Sequence, residues 1–239
     1  GCGVEDITFR GNFQERFSHH LNALHDSGFR MLTFRRQVNG WIRRCRFIDV
    51  SEGVSVMLSA NISVLNCRIE GNGGHAAIRS QASSHVLIGR CIDEPAQYHS
   101  FGVSKTAIGT VLWRNTTGSN SCFESHCSQP RATLLDACRG GFMANHAGGD
   151  AALGPNHLGH LTLWNYRETN YGAGKFDLWV RNNRFLMPVI VGYQGNTVFK
   201  AEQVTCNESY GKAVYPESLY EGQLMLRLGY QPDWMSANQ

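Results

Sequence analysis

Glu124 and His126 are the residues whose types and spacing best suit acid–base chemistry. One residue separates them, so in an extended strand both side chains lie on the same face. A carboxylate beside an imidazole raises the pKa of the histidine and orients its ring, as general acid–base catalysis requires. Arg79 lies earlier in the chain and can bind an acidic group of a ligand. We predict that these three residues are catalytic, with a surface ion pair as the alternative interpretation.

Further polar and aromatic residues can contact a substrate. Lys105 is a candidate base or anion contact, although a solvated lysine is the simpler interpretation. Asn145 and His146 lie at the start of a glycine-rich stretch that also contains His157, and Trp179 can stack on a flat ligand. We expect these five residues to bind substrate, with structural hydrogen bonding as the alternative for the glycine-rich stretch.

Histidine clusters raise the question of a metal. His157 and His160 follow Asp150, but a His-x-x-His pair on a loop is weak support for a metal site. His19 and His20 occur in a long segment that we expect to pack as a loop. The chain has no CxxC pair. We therefore predict no metal site and no cofactor, and leave calcium open although no motif indicates it.

A repeat of about 22 residues determines which elements position these side chains. Cys45 and Cys67 are 22 residues apart, as are Phe47 and Ile69. A polar turn with glycine and a short apolar alternation follow each segment, and similar alternations recur to residue 164. This period, with two or three short strands per turn, is typical of a β-solenoid. Leucine-rich repeats have a similar length but need a leucine and asparagine scaffold that is absent here.

The predicted fold is all-β: a right-handed, single-stranded parallel β-helix. Like residues of successive coils then stack about 4.8 Å apart, so we expect Cys45 and Cys67 to be reduced and stacked inside. Alternation along the strands places Val54, Ile78 and Val103 inward. The outward residues include the predicted column Met57, Arg79, Ser104, His126 and Asn145, and small residues such as Ala77 and Gly102 that would leave a groove.

The repeat fades near residue 170, so we assign 1–170 to the coils and 171–239 to an irregular extension of the same domain. Residues 217–228 read as a helix, with Pro216 near its start and Gly229 after its end. A solenoid needs its open end covered. We therefore predict that this helix caps the last coils and buries Leu219, Leu224 and Leu228.

The composition excludes several classes of protein. The net charge is +3, and 18 of the 22 basic residues are Arg. This slight excess comes with no nucleic-acid motif, so we predict no nucleic-acid partner. No apolar run approaches the roughly 20 residues that a membrane helix needs, and no export signal precedes the first strand. We expect no membrane partner, and any export signal to lie upstream.

The segments Glu124-Ser125-His126, Gly148-Gly149 and Pro155-Asn156-His157-Leu158 resemble the C-terminal part of large secreted bacterial proteins of the pectate-lyase-like β-helix superfamily. Trp164-Asn165 and residues 216–220 share this resemblance, which covers about 100–235. It is a region catalogued as a domain of unknown function. The superfamily includes polysaccharide lyases and glycoside hydrolases. The chain lacks the Gly-His-Gly of polygalacturonases and the Arg-x-Pro-x-x-Arg of pectate lyases.

The resemblance implies a carbohydrate-active enzyme, secreted or periplasmic, that binds an acidic polysaccharide along the β-helix. β-Elimination needs a neutralised carboxylate, a base and an acid, whereas hydrolysis needs two carboxylates, of which only Glu124 is well placed. The residues thus favour a lyase over a hydrolase. The rival hypothesis is a non-catalytic module that binds glycan or supports an upstream catalytic part of the same protein.

Overall fold

The computed structural model describes residues 1–26, 29–142, 148–170, 175–179 and 185–236, without side chains at 175 and 176. Its strands form a parallel β-solenoid of three main sheets, and strands of successive coils pair in each of them. The predicted all-β parallel β-helix is confirmed. No helix among these residues is long and apolar enough to cross a membrane.

Sheet 1 has nine strands, and each main sheet takes about one strand from each coil. Its strands are β1 (Gly3–Glu5), β4 (Val38–Arg43), β7 (Ala60–Leu65), β10 (Ser84–Gly89), β13 (Ile108–Trp113), β16 (Arg131–Asp136), β18 (Gly159–Trp164), β21 (Val189–Val191) and β23 (Cys206–Glu208). Sheet 2 has seven short strands: β2 (Thr8–Arg10), β5 (Arg46–Ile48), β8 (Arg68–Glu70), β11 (Ile92–Asp93), β14 (Thr116–Thr117), β17 (Arg139–Gly140) and β19 (Arg167–Glu168).

Sheet 3 has five strands and carries the predicted catalytic residues: β3 (Arg30–Arg35), β6 (Glu52–Met57), β9 (Ala76–Gln81), β12 (His99–Ser104) and β15 (Glu124–His126). A separate pair joins β20 (Lys175–Phe176) to β22 (Val198–Phe199). Short 3₁₀ turns span Ala151–Leu153, Ala201–Gln203 and Asp233–Met235.

A column of thiols lies inside the corner between sheets 1 and 2. Cys45, Cys67, Cys91 and Cys138 are buried and free of disulfides, which confirms the prediction for the first two. Asn115 takes the place of cysteine in the intervening coil. Its amide donates to the Ile88 carbonyl at 2.8 Å and accepts from the Cys91 N–H at 2.9 Å. A buried polar side chain is tolerated there because the backbone satisfies it.

Single left-handed residues turn the chain at these corners. Asn66 and Asn165 have φ of 55° and 49°, and Arg114 has φ of 51° at the same corner of another coil. Asparagine tolerates this conformation better than most residues because its short side chain bonds the local backbone. Asn165 does so with the C-terminal segment: its amide donates to the Val214 carbonyl, and its carbonyl accepts from the Val214 N–H, both at 2.8 Å.

Among the described residues there is one α-helix, α1 (Leu219–Leu228), and it is capped at its start by Ser218, whose hydroxyl accepts a hydrogen bond from the Glu221 N–H at 3.1 Å. It ends at Gly229, which has φ of 77°. Of the three leucines predicted to be buried, only Leu224 is, whereas Leu228 is 38% exposed. The helix packs on Trp113 and neighbouring apolar residues of sheet 1. The predicted cap over the last coils was therefore wrong in position, because outward apolar residues of sheet 1 attract the helix to the side of the solenoid.

Candidate functional site

The outer face of sheet 3 brings Arg79 and Glu124 into one column. In the strand pairing, Arg79 lies opposite Gly102, and Gly102 opposite Glu124. His126 belongs to the next column, with Ser104. The absence of a side chain at Gly102 lets Arg79 and Glu124 meet across two coils.

Of the described members of the predicted column, Met57, Ser104 and His126 do share one column, with Gln81 between the first two, and Arg79 was misplaced by two residues. Ser55, not Met57, pairs with Arg79, a separation of 24 residues instead of 22. The turn between β8 and β9 is two residues longer than the equivalent turn of the preceding coil. A shift of two residues keeps the side chains on the same face but moves them to another column. Ala77, predicted to face outward, lies in the hydrophobic core.

Glu124 is 1% exposed and lies between two basic side chains. Its Oε2 is 3.2 Å from Nη2 of Arg79, and its Oε1 is 3.5 Å from Nε2 of His99. Burial raises the pKa of Glu124 to about 7, although Arg79 opposes this shift. Loss of water disfavours the charged carboxylate, while a nearby cation favours it. A carboxyl group in this state can donate or accept a proton near neutral pH.

Several buried atoms on this face make no hydrogen bond within the described part of the chain. They are Nε and Nη2 of Arg79, Oε1 of Glu124 and Oε1 of Glu52. Glu52 uses its other oxygen to accept from Nε of Arg30 at 3.0 Å. A buried polar atom without a partner typically costs about 1–3 kcal/mol, and more when it is charged. Such atoms are rare in native proteins, and a cluster of them indicates a place where a ligand can bind.

His126 lies beside this pair and is less buried. Burial and the charges of Arg79 and Lys105 lower the pKa of His126, so its ring is neutral at neutral pH. Its Nδ1 is 3.3 Å from Sγ of Cys127. Gly148 packs over both candidate residues: a Cβ there would lie 2.6 Å from Glu124 Oε1 and from His126 Cδ2. No larger residue fits at 148 without displacing these side chains.

The sequence of the first five coils is that of a known repeat family. A family model described as a right handed beta helix region matches residues 2–153. The chain belongs to this family. A second model, of a domain of unknown function (DUF4955), matches residues 96–238, and the chain belongs to that family as well. No curated protein and no solved structure matches the chain.

Of the remaining predicted contacts, the described residues Lys105, His157 and Trp179 lie in different environments. Lys105 is exposed beyond the end of β12. His157 is fully buried, with Nε2 3.0 Å from the Thr133 hydroxyl, and burial lowers its pKa to about 3. Its environment is that of a structural side chain inside the solenoid. Trp179 is 43% exposed. Asn145 and His146 lie outside the described residues.

Sequence reasoning missed a histidine cluster next to Glu124. Potential ligand atoms of His19, His75 and His99 all lie within 4.8 Å of one another, and those of His19, His20 and Asp26 form a second such group. The sequence carried part of the signal for His75 and His99: they are 24 residues apart, whereas β9 and β12 pair with a separation of 23 residues, so that His99 lies opposite Ala76, the residue after His75. Nothing local indicated that His19, which was expected only to pack in a loop, would reach them.

Proposed function

We propose that this β-helix protein is a carbohydrate-active enzyme that cleaves an acidic polysaccharide on the outer face of sheet 3, and that it acts as a lyase. The fold supports the class, since right-handed β-helices are common among carbohydrate-active enzymes. Fold alone does not select the reaction, so the choice of lyase depends on the residues around Glu124. We also propose that it acts outside the cytoplasm, together with upstream parts of the same protein.

The observation that carries this proposal is the buried Arg79 guanidinium, which faces Glu124 at 3.2 Å but does not have a full set of hydrogen-bond acceptors among the described residues. Nε and Nη2 of Arg79 lie on one side of the group, and neither makes a hydrogen bond to a described residue. Such an edge binds a carboxylate with two parallel hydrogen bonds. The carboxylate of a uronic acid that reaches this edge would accept from these donors and would share the positive charge that Arg79 presents to Glu124.

Neutralisation of that carboxylate is the first requirement of β-elimination. A base then removes the proton on the carbon next to the carboxylate. The electron pair forms a carbon–carbon double bond, and the bond from the adjacent carbon to the leaving sugar's oxygen breaks. An acid gives that oxygen a proton, so that no water is consumed. We assign the base to His126, whose ring is neutral at neutral pH, and the acid to Glu124.

Hydrolysis fits the same residues less well. It requires two carboxyl groups about 5–5.5 Å or 6.5–9.5 Å apart, both facing the scissile bond. The other buried glutamate of this face is Glu52, and its Oε2 is held by Arg30. Glu124 is then the carboxyl group of the described part of sheet 3 that faces Arg79 and so lies next to the proposed binding position of the uronic acid. This favours elimination over hydrolysis.

A product assay on uronic-acid and sulfated polysaccharides tests the proposal. A lyase gives rising ultraviolet absorbance from the unsaturated sugar, and His126→Ala should reduce that rate by about 10²–10⁴. His160→Ala is the matched control, because His160 is exposed on sheet 1. New reducing ends without absorbance would point to a hydrolase. Binding of a polysaccharide without any cleavage would support the rival hypothesis of a non-catalytic module that binds glycan.

A further inference from the structure

Three histidines from distant parts of the chain meet at the N-terminal ends of strands β9 and β12 of sheet 3. His75 and His99 lie at the starts of successive coils, and His19 comes from the N-terminal segment. The ring centroids are 5.5 Å apart for His19 and His75, 5.8 Å for His19 and His99, and 5.2 Å for His75 and His99. The three rings therefore form a nearly equilateral triangle.

This triangle has the dimensions of a tetrahedral metal site. Three imidazoles bound to one Zn²⁺ at the usual Zn–N length of about 2.0–2.1 Å have ring centroids about 5 Å apart. The observed separations are within about an ångström of that value. The three ligand atoms also lie within 4.8 Å of one another, so small side-chain rotations suffice to bring them onto one ion.

Neighbouring oxygen atoms orient the rings of His75 and His99, as the ligands of a metal site require. Nδ1 of His75 is 3.1 Å from the backbone carbonyl of His25 and 3.5 Å from Oδ1 of Asp26. A proton on Nδ1 satisfies both oxygens and leaves Nε2 of His75 to bind a metal. His99 has the Glu124 carboxylate 3.5 Å from its Nε2. Ligand histidines usually have such a carbonyl or carboxylate partner, which fixes the tautomer and strengthens the ligand.

The charges around the cluster are balanced. The positive charge of Arg79, which lies next to Glu124, disfavours a second cation. The carboxylates of Asp26 and Glu124 oppose that repulsion.

We propose that His19, His75 and His99 bind one divalent transition-metal ion, Zn²⁺ before others, and leave a coordination position open. Nitrogen ligands suit zinc, copper and nickel, whereas calcium and magnesium require oxygen ligands. Three protein ligands with an open fourth position are typical of catalytic zinc sites. The site lies beside Glu124, but it does not depend on the proposed cleavage of polysaccharide.

Such an ion would attach the N-terminal segment to the solenoid. His19 is exposed, and its ring stacks on Tyr98 with centroids 4.4 Å apart. The metal would add a bond between this segment and two coils of sheet 3. Because a ligand that binds the folded state stabilises it, zinc should raise the melting temperature of the full chain.

Equilibrium dialysis of the metal-free chain against zinc chloride tests the site directly. We expect one zinc ion per chain, and Co²⁺ in its place should give the strong visible absorption of a tetrahedral ion. His19→Ala and His99→Ala should each weaken zinc binding at least about tenfold. His19 is exposed, so its variant should keep the fold even if that of buried His99 does not.

His160→Ala, which changes an exposed histidine outside the cluster, is the matched control and should bind zinc as the wild type does. Absence of zinc binding by the wild-type chain would overturn the proposal, as would unchanged affinity and stoichiometry in folded His19→Ala. Zinc binding by a chain that cleaves no polysaccharide would refute the proposed lyase and leave the metal site intact.

Discussion

Two buried carboxylates on different sheets differ in the hydrogen bonds that their oxygens accept. Asp136 of sheet 1 is fully buried and accepts hydrogen bonds from the Ser218 hydroxyl and the backbone N–H groups of Leu219 and Tyr220. Glu124 of sheet 3 is equally buried, but its Oε1 has no hydrogen bond to any described residue. The first carboxylate attaches the start of α1 to the solenoid.

This difference in hydrogen bonding distinguishes a structural carboxylate, Asp136, from a candidate functional one, Glu124. Burying a charge is costly, and a protein that needs it only for stability provides a full set of donors. Asp136 has such a set. Glu124 and Arg79, by contrast, face each other at 3.2 Å, but Oε1 of Glu124 and Nε of Arg79 have no hydrogen bond to any described residue. That arrangement costs stability, and it leaves atoms free to bind a substrate.

The largest effect that we predict is the loss of turnover in Glu124→Gln. The amide cannot exchange a proton, so the rate on a confirmed substrate should fall by about 10²–10⁴. The melting temperature should stay the same or fall, because the neutral amide no longer balances the buried charge of Arg79. Kinetics and thermal unfolding of the same preparation check both parts. Full activity in this variant would remove Glu124 from the mechanism.

The sequence was sufficient for the fold because the coil period is a local signal. Cys45 over Cys67 and Phe47 over Ile69 follow from one spacing, and the structure pairs both. The site was less predictable. Two extra residues before β9 moved Arg79 from the predicted column into that of Glu124. A period averaged over the chain does not show such a change.

Contacts between distant segments could not be predicted from the sequence for the same reason. His19 meets His75 and His99 because a long N-terminal segment folds back, and no periodicity encodes that contact. The position of α1 had a visible signal that we did not use. Leu65, Leu87 and Val111 are partly buried on the outside of sheet 1 and pack with Leu224. Apolar residues at outward positions on successive coils predict a covering element there.

Asp136→Ala should be the most destabilising of the changes that we propose. It leaves the Ser218 hydroxyl and two backbone N–H groups without their acceptor, so we expect a loss of about 3–5 kcal/mol in the free energy of unfolding. Urea titration measures it. Asp233→Asn, on an exposed aspartate, is the control and should change stability by less than about 0.5 kcal/mol. Similar small effects from both variants would contradict the anchoring role of Asp136.

The carboxyl group of Asp93 is intermediate between those of Asp136 and Glu124 in how it is hydrogen-bonded. It accepts hydrogen bonds from the Gln97 N–H and the Thr117 hydroxyl, yet burial raises the pKa of Asp93 to about 6. The folded state then holds its proton more tightly than the unfolded state. The contribution of this group to stability is therefore greatest below about pH 4, declines as the pH rises to about 6, and is constant above.

Asp93→Asn should remove that decline. The fall in unfolding free energy between pH 4 and pH 7 should be smaller than in the wild type by about 1–3 kcal/mol. Thermal or urea unfolding at both pH values measures it, and Asp233→Asn should keep the wild-type slope. An unchanged slope in Asp93→Asn would mean that Asp93 is ionised over the whole range.

The smallest effect that we predict is a difference in stability between variants of Glu221 and Glu217, two glutamates that bind Arg114. Glu221 is 19% exposed and accepts from Nε1 of Trp113 at 2.9 Å as well as from Arg114. Glu217 is 74% exposed and lies 3.0 Å from Nη1 of Arg114. Exposed ion pairs are worth about 0–1 kcal/mol and are screened by salt. Hydrogen bonds to a partly buried charge contribute more, about 1.5–3 kcal/mol.

Glu221→Gln should therefore destabilise the chain more than Glu217→Gln. We expect about 1–2 kcal/mol for Glu221→Gln, because the amide oxygen can still accept from Trp113 but no longer carries the charge that faces Arg114. For Glu217→Gln we expect less than about 1 kcal/mol, and this effect should fade in high salt. Urea unfolding of both variants at low and high salt measures the two values. Equal losses in the free energy of unfolding would show that burial does not distinguish Glu221 from Glu217 as partners of Arg114. The ion pairs of α1 would then give no support to the contrast between Asp136 and Glu124.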